Sequence, residues 1–297
     1  MANRIDDLHF DASGNVYLTS DFRFYRRLDD QWSVFSEFFN GLPPQAQFTA
    51  INDAGTNNTW FFANQLLFQL TDRNLNLFTP PDNAQASYSS IAFDNSGNPY
   101  FSYWNRLTPA TLRLEIGWYQ GGEFNIEQAP NLFTGTTDLP SITNIVEDGD
   151  GGFWITGNEF LYHFIDGTWT SISHPNFTQL LEITRSPNGV LWISEGANTI
   201  AVHRYANGTV TSYPSDQCLG NIVSNINADD QDRMWFYNNQ RELQMFDGTQ
   251  CNRYSFSGFA AFTDLALRQG QPHVSTSGGV YWFNEVTNQF LPFLGPQ

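Results

Sequence analysis

The sequence predicts an all-β fold, a seven-bladed β-propeller of four-stranded antiparallel blades, and three observations carry that reading. One motif returns seven times with a period near 43 residues. No long stretch has the 3.6-residue periodicity of a helix. Gly, Asn, Asp and Pro punctuate the chain about every ten residues, the spacing of turns between short strands.

The motif is a short apolar strand, a turn rich in Asp, Asn and Gly, and a second strand that opens on an aromatic. It runs from Leu8-His9-Phe10-Asp11 to Tyr17, from Ile51-Asn52-Asp53 to Trp60, and from Ile91-Ala92-Phe93-Asp94 to Tyr100. Further copies run from Ile145-Val146-Glu147-Asp148 to Trp154, from Ile183-Thr184-Arg185-Ser186 to Trp192, and from Ile226-Asn227-Ala228-Asp229 to Trp235. The last, Leu265-Ala266-Leu267-Arg268-Gln269-Gly270, reaches His273 where the others carry an aromatic. The steps between these anchors are 43, 40, 54, 38, 43 and 38 residues, the period of a propeller blade. Each unit holds two more strands, as in Phe160–Phe164 and Thr168–Ile172 about the Asp166-Gly167 turn.

A lone four-stranded sheet cannot bury both faces, but seven stacked radially can. The units fall at residues 4–38, 48–80, 88–130, 142–175, 180–215, 222–258 and 262–297, which makes the chain one domain. The first unit begins with its innermost strand and the last ends with its outermost. Ring closure is therefore expected from side-chain packing between blades 1 and 7, with no blade shared between the chain ends. Trp154 and Trp192 are expected to fill the core between blades.

Composition narrows function. The 297 residues carry 30 acidic and 13 basic side chains, a net charge of −17, and every basic residue is arginine. Such a surface repels phosphate backbones and anionic lipid, so neither nucleic acid nor membrane insertion is expected. The N-terminal Met1-Ala2-Asn3-Arg4 has no signal-peptide pattern. Cys218 and Cys251 have no zinc spacing. Two reduced thiols or one disulfide both fit the sequence, and a disulfide would favour an extracellular or periplasmic setting.

The unit at 140–172 resembles the two-component regulator propeller repeat, through Leu139-Pro140, Glu147-Asp148-Gly149-Asp150-Gly151 and Trp154-Ile155. Asn40-Gly41-Leu42-Pro43 is a second such lead-in. Pro187-Asn188-Gly189-Val190-Leu191-Trp192 is more distantly similar to blades of streptogramin B lyases. The first resemblance implies a propeller of the sensory-ectodomain kind, binding glycans or other ligands. The second implies a metal held by His and Glu near the central channel. The five histidines, His9, His163, His174, His203 and His273, show no recurring His/Glu pair in adjacent late blades. His9 and His163 read instead as rings packed within apolar strands. The acidic turns lack the ligand spacing of an EF-hand and read as hairpin turns. No catalytic residue, metal or cofactor is assigned.

One step breaks the period. The 54-residue step across blade 3 contains Tyr103-Trp104-Asn105-Arg106-Leu107-Thr108 and reads as a long loop between the second and third strands. Those turns encircle the channel mouth, where rigid aromatics and arginine suit recognition. The candidate ligand-binding residues are Tyr103, Trp104 and Arg106, joined on matching turns by Arg23, Asn158, Glu159, Glu195, Tyr237 and Arg241. The expected function is non-enzymatic recognition of a glycan or other polar polymer at this face. The alternative is a protein–protein scaffold or structural subunit of an extracellular assembly, with a metal-dependent lyase third.

Overall fold

The computed structural model describes residues 5–293, apart from 11–13, 21–22, 29–30, 35–47, 54–57, 64–65, 72–73, 79–86, 95, 109–110, 135–143, 158, 197–198, 217, 221–222, 238–241 and 258–260. Within the strands, the side chains of residues 6, 20, 23, 28, 34, 48–53, 58, 62–63, 66, 71, 74–75, 87–89, 104, 106 and 131–134 lie outside this set as well.

Among the described residues, twenty-eight strands form seven four-stranded antiparallel sheets, each in simple sequential order. Blade 1 is β1 (Ile5–Phe10), β2 (Val16–Ser20), β3 (Arg23–Leu28) and β4 (Gln31–Val34). Blade 2 is β5 (Phe48–Asp53), β6 (Asn58–Ala63), β7 (Leu66–Thr71) and β8 (Asn74–Phe78). Blade 3 is β9 (Ser87–Phe93), β10 (Pro99–Thr108), β11 (Thr111–Gln120) and β12 (Glu123–Thr134). Blade 4 is β13 (Ile145–Glu147), β14 (Phe153–Gly157), β15 (Phe160–Ile165) and β16 (Thr168–Ser173). Blade 5 is β17 (Leu180–Arg185), β18 (Leu191–Glu195), β19 (Ile200–Ala206) and β20 (Thr209–Pro214). Blade 6 is β21 (Asn227–Ala228), β22 (Met234–Tyr237), β23 (Glu242–Phe246) and β24 (Cys251–Ser255). Blade 7 is β25 (Phe262–Arg268), β26 (Gln271–Thr276), β27 (Gly279–Asn284) and β28 (Gln289–Phe293).

The repeated turn explains why each hairpin forms where it does. Asp94, Asp148 and Asp229 hold equivalent positions, and each side-chain Oδ1 accepts from the backbone N–H two and four residues on, at 2.8–3.0 Å. Ser186 stands in the same place in blade 5 and accepts from Val190 N at 3.1 Å. A short acceptor at that point satisfies N–H groups that the turn leaves out of the ladder. The acidic turns are thus hairpin structure, as their spacing suggests. The tight third-to-fourth-strand turns Asp166-Gly167 and Asn207-Gly208 have positive φ at both residues, the condition for a type I′ hairpin.

The core lies between the blades. Leu112, Leu114 and Ile116 of blade 3 pack with Ile145, Phe153, Ile155 and Tyr162 of blade 4. Trp192 and Val202 of blade 5 meet Met234, Phe236 and Phe246 of blade 6, and Trp235 and Leu243 meet Leu265, Val274 and Phe283 of blade 7. Trp192 is fully buried. Trp154 also packs between blades, against the blade 4–5 core and Tyr205, but is half-buried and stacked on His163 at 4.1 Å between ring centroids. His163 is in turn held by Asp148 Oδ2 at 2.6 Å.

Among the described residues the closing seam has no strand exchange: β1 pairs only with β2 and β28 only with β27. Packing joins it: Ile5, Leu8, Phe10, Val16 and Leu18 of blade 1 cluster with Ala266 and Val280 of blade 7. His273 sits edge-on to Phe10 at 4.8 Å and to Phe293 at 5.1 Å.

The blade 3 insertion corrects a sequence expectation. Most strands elsewhere have five or six residues, but β10, β11 and β12 have ten, ten and twelve. The extra residues lengthen strands; they do not form a loop. The reason is visible in β11, where Leu112, Leu114 and Ile116 keep a period of two through the insertion and bury against blade 4. Pairing of β9 with β10 ends at Ser87↔Trp104, so among the described residues the far half of this hairpin is three-stranded.

Cys218, in the connector from blade 5 to blade 6, is bonded to Cys251 at the start of β24, with a Cα–Cα distance of 6.3 Å. That resolves the choice left open by the sequence in favour of the disulfide.

Candidate functional site

Because neighbouring strands alternate direction, the innermost strands begin on the same face that carries the second-to-third-strand turns. On that face the polar side chains join into a belt around the channel mouth. Ser90 donates to Asn144 Oδ1 at 3.3 Å, and Asn144 N donates to Thr156 Oγ1 at 3.1 Å. Thr156 Oγ1 donates across to Leu181 O at 2.9 Å, linking blade 4 to blade 5. Glu182 accepts from Ile226 N at 3.2 Å, linking blade 5 to blade 6. Asn225 Nδ2 donates to the Tyr237 hydroxyl at 2.9 Å, and that hydroxyl donates to Thr263 O of blade 7 at 2.8 Å. Thr263 and Ser275 share a bond of 2.8 Å.

Glu182 is the carboxyl of this belt whose chemistry is most altered. Burial pushes it above the usual carboxylate range, and the N–H groups of Ile226 and Asn225 only partly oppose that. Asn225 holds a left-handed backbone, φ 55°, which turns the connector into β21 and presents its amide to Tyr237. Amide, phenol, hydroxyl and carboxyl groups along this belt, from blade 3 to blade 7, offer both donors and acceptors.

The sequence-selected residues are dispersed by the structure. Tyr237 joins the mouth belt. Tyr103 does not face solvent: it is 2% exposed and packs with Trp60, Leu67, Ile91 and Phe101, because it continues the buried alternation of β10. Trp104 and Arg106 lie in β10 and Arg23 opens β3, with their side chains outside the described residues. Asn158 and Arg241 also lie outside the described residues. Glu159 is exposed in the turn between β14 and β15.

Glu195 is fully buried, which removes it from a ligand surface. Its carboxylate accepts from Thr178 N, Thr178 Oγ1 and Gln179 N at 3.2, 2.9 and 2.5 Å, and meets His203 Nε2 at 3.1 Å. His203 Nδ1 meets Ser212 Oγ at 2.9 Å. Carboxylate, imidazole and hydroxyl in that order are the parts of a nucleophilic relay. Here Phe177 covers the imidazole at 4.8 Å, and both Glu195 and His203 are inaccessible. The set is a brace that ties the connector at 174–179 to blade 5. Burial raises Glu195, but bonds from His203, Thr178 and Gln179 outweigh it and leave the carboxyl below its usual range. Among the described residues no three His, Cys, Asp or Glu side chains converge to hold a metal ion.

Ser90, Asn144, Glu182 and Asn225 escaped sequence reasoning. They stand on different blades but at one place in the repeat, each immediately before the residue that opens it: Ile91, Ile145, Ile183 and Ile226. That shared polar position was the signal, and Glu182 marks it most sharply as a charge inside the apolar run Leu180-Leu181-Glu182-Ile183.

Fold and mouth together define a seven-bladed β-propeller with a polar channel entrance. The chain is structurally similar to virginiamycin B lyase from Staphylococcus aureus, with a TM-score of 0.71 and 15% identity over 94% of each chain. It is also similar to the extracellular domain of the hybrid two-component system BT4673 from B. thetaiotaomicron, with a TM-score of 0.52 and 14% identity. That match covers 98% of this chain and 52% of the other, so this chain spans about half its length. YCF48 from Cyanidioschyzon merolae matches with a TM-score of 0.61 and 12% identity over 94% of each chain, and YCF48 has also been solved bound to D1 peptide. No family model and no curated protein matches the sequence. The shared feature is the propeller fold, which lyases, sensor domains and YCF48 put to different uses.

Proposed function

We propose that this propeller is a non-enzymatic recognition module that takes a glycan or similar polar polymer at the channel-mouth face. The observation that carries the reading is the belt itself. Ser90, Asn144, Glu182, Asn225 and Tyr237 bring donors and acceptors from four blades to one rim, and sugar hydroxyls need both. The lengthened β10–β11 hairpin of blade 3 stands on the same rim and carries Trp104 and Arg106 in its sequence. A polar rim beside a lengthened strand that carries an aromatic in its sequence suits a ligand site. The disulfide supports an extracellular or periplasmic setting. The charge of −17 supports a partner other than nucleic acid.

A second reading, a protein–protein scaffold, draws on the same hairpin. Leu107 is 42% exposed on it, an apolar contact that suits a polypeptide better than a sugar. Glycan and peptide arrays probed with the wild type, Glu182→Gln and Trp104→Ala separate the readings. Glycan binding that falls about tenfold or more in either variant, with melting temperature kept within about 2–4 °C, supports the first. Peptide capture lost with Leu107→Ser supports the second. Metal-dependent turnover of a substrate would favour a lyase and overturn both.

A further inference from the structure

Blade 5 carries the dipeptide Asn-Gly twice, and the fold treats the two copies differently. The dipeptide is chemically distinctive. A backbone nitrogen that follows asparagine can attack that residue's own side-chain amide, and glycine, with no Cβ, leaves the approach open. A third copy, Asn40-Gly41, lies outside the described residues.

At Asn188-Gly189, in the turn between β17 and β18, both reacting groups are occupied. The Gly189 N–H donates to Ser186 O at 2.9 Å. The Asn188 amide donates to Asp230 O at 2.9 Å and to Asp232 Oδ1 at 3.2 Å, across the junction with blade 6. At Asn207-Gly208, in the turn between β19 and β20, neither group is occupied. Among the described residues, the Asn207 amide and the Gly208 N–H have no hydrogen-bond partner. Both residues are exposed, and no atom beyond the chain neighbours lies within 4 Å of where a Cβ on Gly208 would sit.

We propose that Asn207 is a self-modifying site, where the folded chain converts asparagine to isoaspartate, while the bonds at Asn188 protect the same dipeptide there. The Gly208 nitrogen attacks Cγ of Asn207. An N–Cγ bond forms, the Cγ–Nδ2 bond breaks, and ammonia leaves carrying the Gly208 proton. Water then opens the cyclic imide at one carbonyl or the other, giving aspartate or isoaspartate. The aspartate product suits the turn, because the matching turn of blade 4 is already Asp166-Gly167, with positive φ at both residues as at Asn207 and Gly208. Isoaspartate does not suit it. That linkage routes the main chain through Cβ and lengthens a two-residue turn whose twist matches its strands. The pair Ala206↔Thr209 closes this turn, and among the described residues β20 pairs with no strand but β19. The lengthening therefore acts on the whole outermost strand of blade 5. It reaches Tyr213, whose ring packs on Phe246 of blade 6 at 5.0 Å between centroids.

Residue-resolved peptide mapping of the oxidised full-length chain, aged in mildly alkaline buffer, tests this. Asn207 should convert first, with Asn188 about tenfold or more slower because its hydrogen bonds must open before it reacts. A protein isoaspartyl methyltransferase should label the peptide that contains residue 207. In denaturant, where neither turn is formed, the two sites should convert at similar rates. Amide exchange over β20 should rise in the isoaspartate fraction and stay at the wild-type level in freshly prepared Asn207→Asp. Asn188 converting as fast as Asn207 in the folded chain would overturn the assignment, as would the same rate gap in denaturant. Unchanged β20 exchange in the isoaspartate fraction would overturn its effect on the hairpin.

Discussion

Two junctions of the ring, blade 5 against blade 6 and blade 7 against blade 1, solve the same packing problem with different means. At the first, the chain itself crosses, the Cys218–Cys251 bond pins the crossing, and Trp192 fills the interface with its Nε1–H on Asp232 O at 2.9 Å. Ser186 and Asn188 of one turn also bond to Asp230 and Asp232 of the next. At the second, the anchor aromatic is replaced by His273. Two arginines hold Phe293 from the rim, Arg27 at 5.8 Å and Arg268 at 5.7 Å from its ring centre. The difference shows that a propeller without shared strands closes on side-chain packing, here with one imidazole, His273, set among the apolar groups.

The largest effect that would sharpen this contrast is expected at Trp192. Trp192→Ala should cost about 3–5 kcal/mol in denaturant unfolding, through the cavity left in a fully buried site. A loss under about 1 kcal/mol would mean that the blade 5–6 interface does not depend on it.

Next comes the disulfide. Reduction, or Cys218→Ser with Cys251→Ser, should cost about 2–4 kcal/mol by freeing the closed loop in the unfolded chain. A melting temperature identical under oxidising and reducing conditions would break the comparison on the strong side.

On the weak side, pH gives the sign. Burial holds the His273 imidazole down at about 4, with its Nδ1 facing Gln271 O at 2.9 Å and Arg268 adding repulsion. The unfolded chain takes the proton more readily, so this stabilisation is full above about pH 6.5 and is lost as pH falls towards about 4. His273→Phe should remove about 1–3 kcal/mol of that acid-side loss, read from melts at a series of pH values. An acid limb as steep as in the wild type would place the titration elsewhere.

The smallest expected effect is at the rim. Arg27→Ala or Arg268→Ala should each cost about 0.5–1 kcal/mol, the scale of a cation–π contact, in denaturant titrations.

The turns were legible because their chemistry is local: a short acceptor followed by Gly dictates a hairpin whatever surrounds it. The open closing seam was legible from strand order alone. The blade 3 hairpin was misread because insertion length was weighed above alternation; Leu112, Leu114 and Ile116 already wrote a strand through it. The mouth was mostly illegible. Tyr237 was found from its turn, whereas Glu182 and Asn225, although they share a repeat position, come together only when blades 5 and 6 stand side by side. Glu195 misled for the opposite reason: its position after the Trp192 strand suggests the rim, yet the connector at 174–179 folds over it.

The disulfide has a mechanical consequence as well. Residues 218 and 251 are 33 apart in sequence, and the bond between them lets tension along the backbone bypass the span that contains β21 to β23. Pulled from positions outside the ring, an oxidised chain would pay out roughly 110 Å less contour than a reduced one, at about 3.3–3.6 Å per residue. Blades on either side would unravel fully under load, while most of blade 6 would be shielded from it.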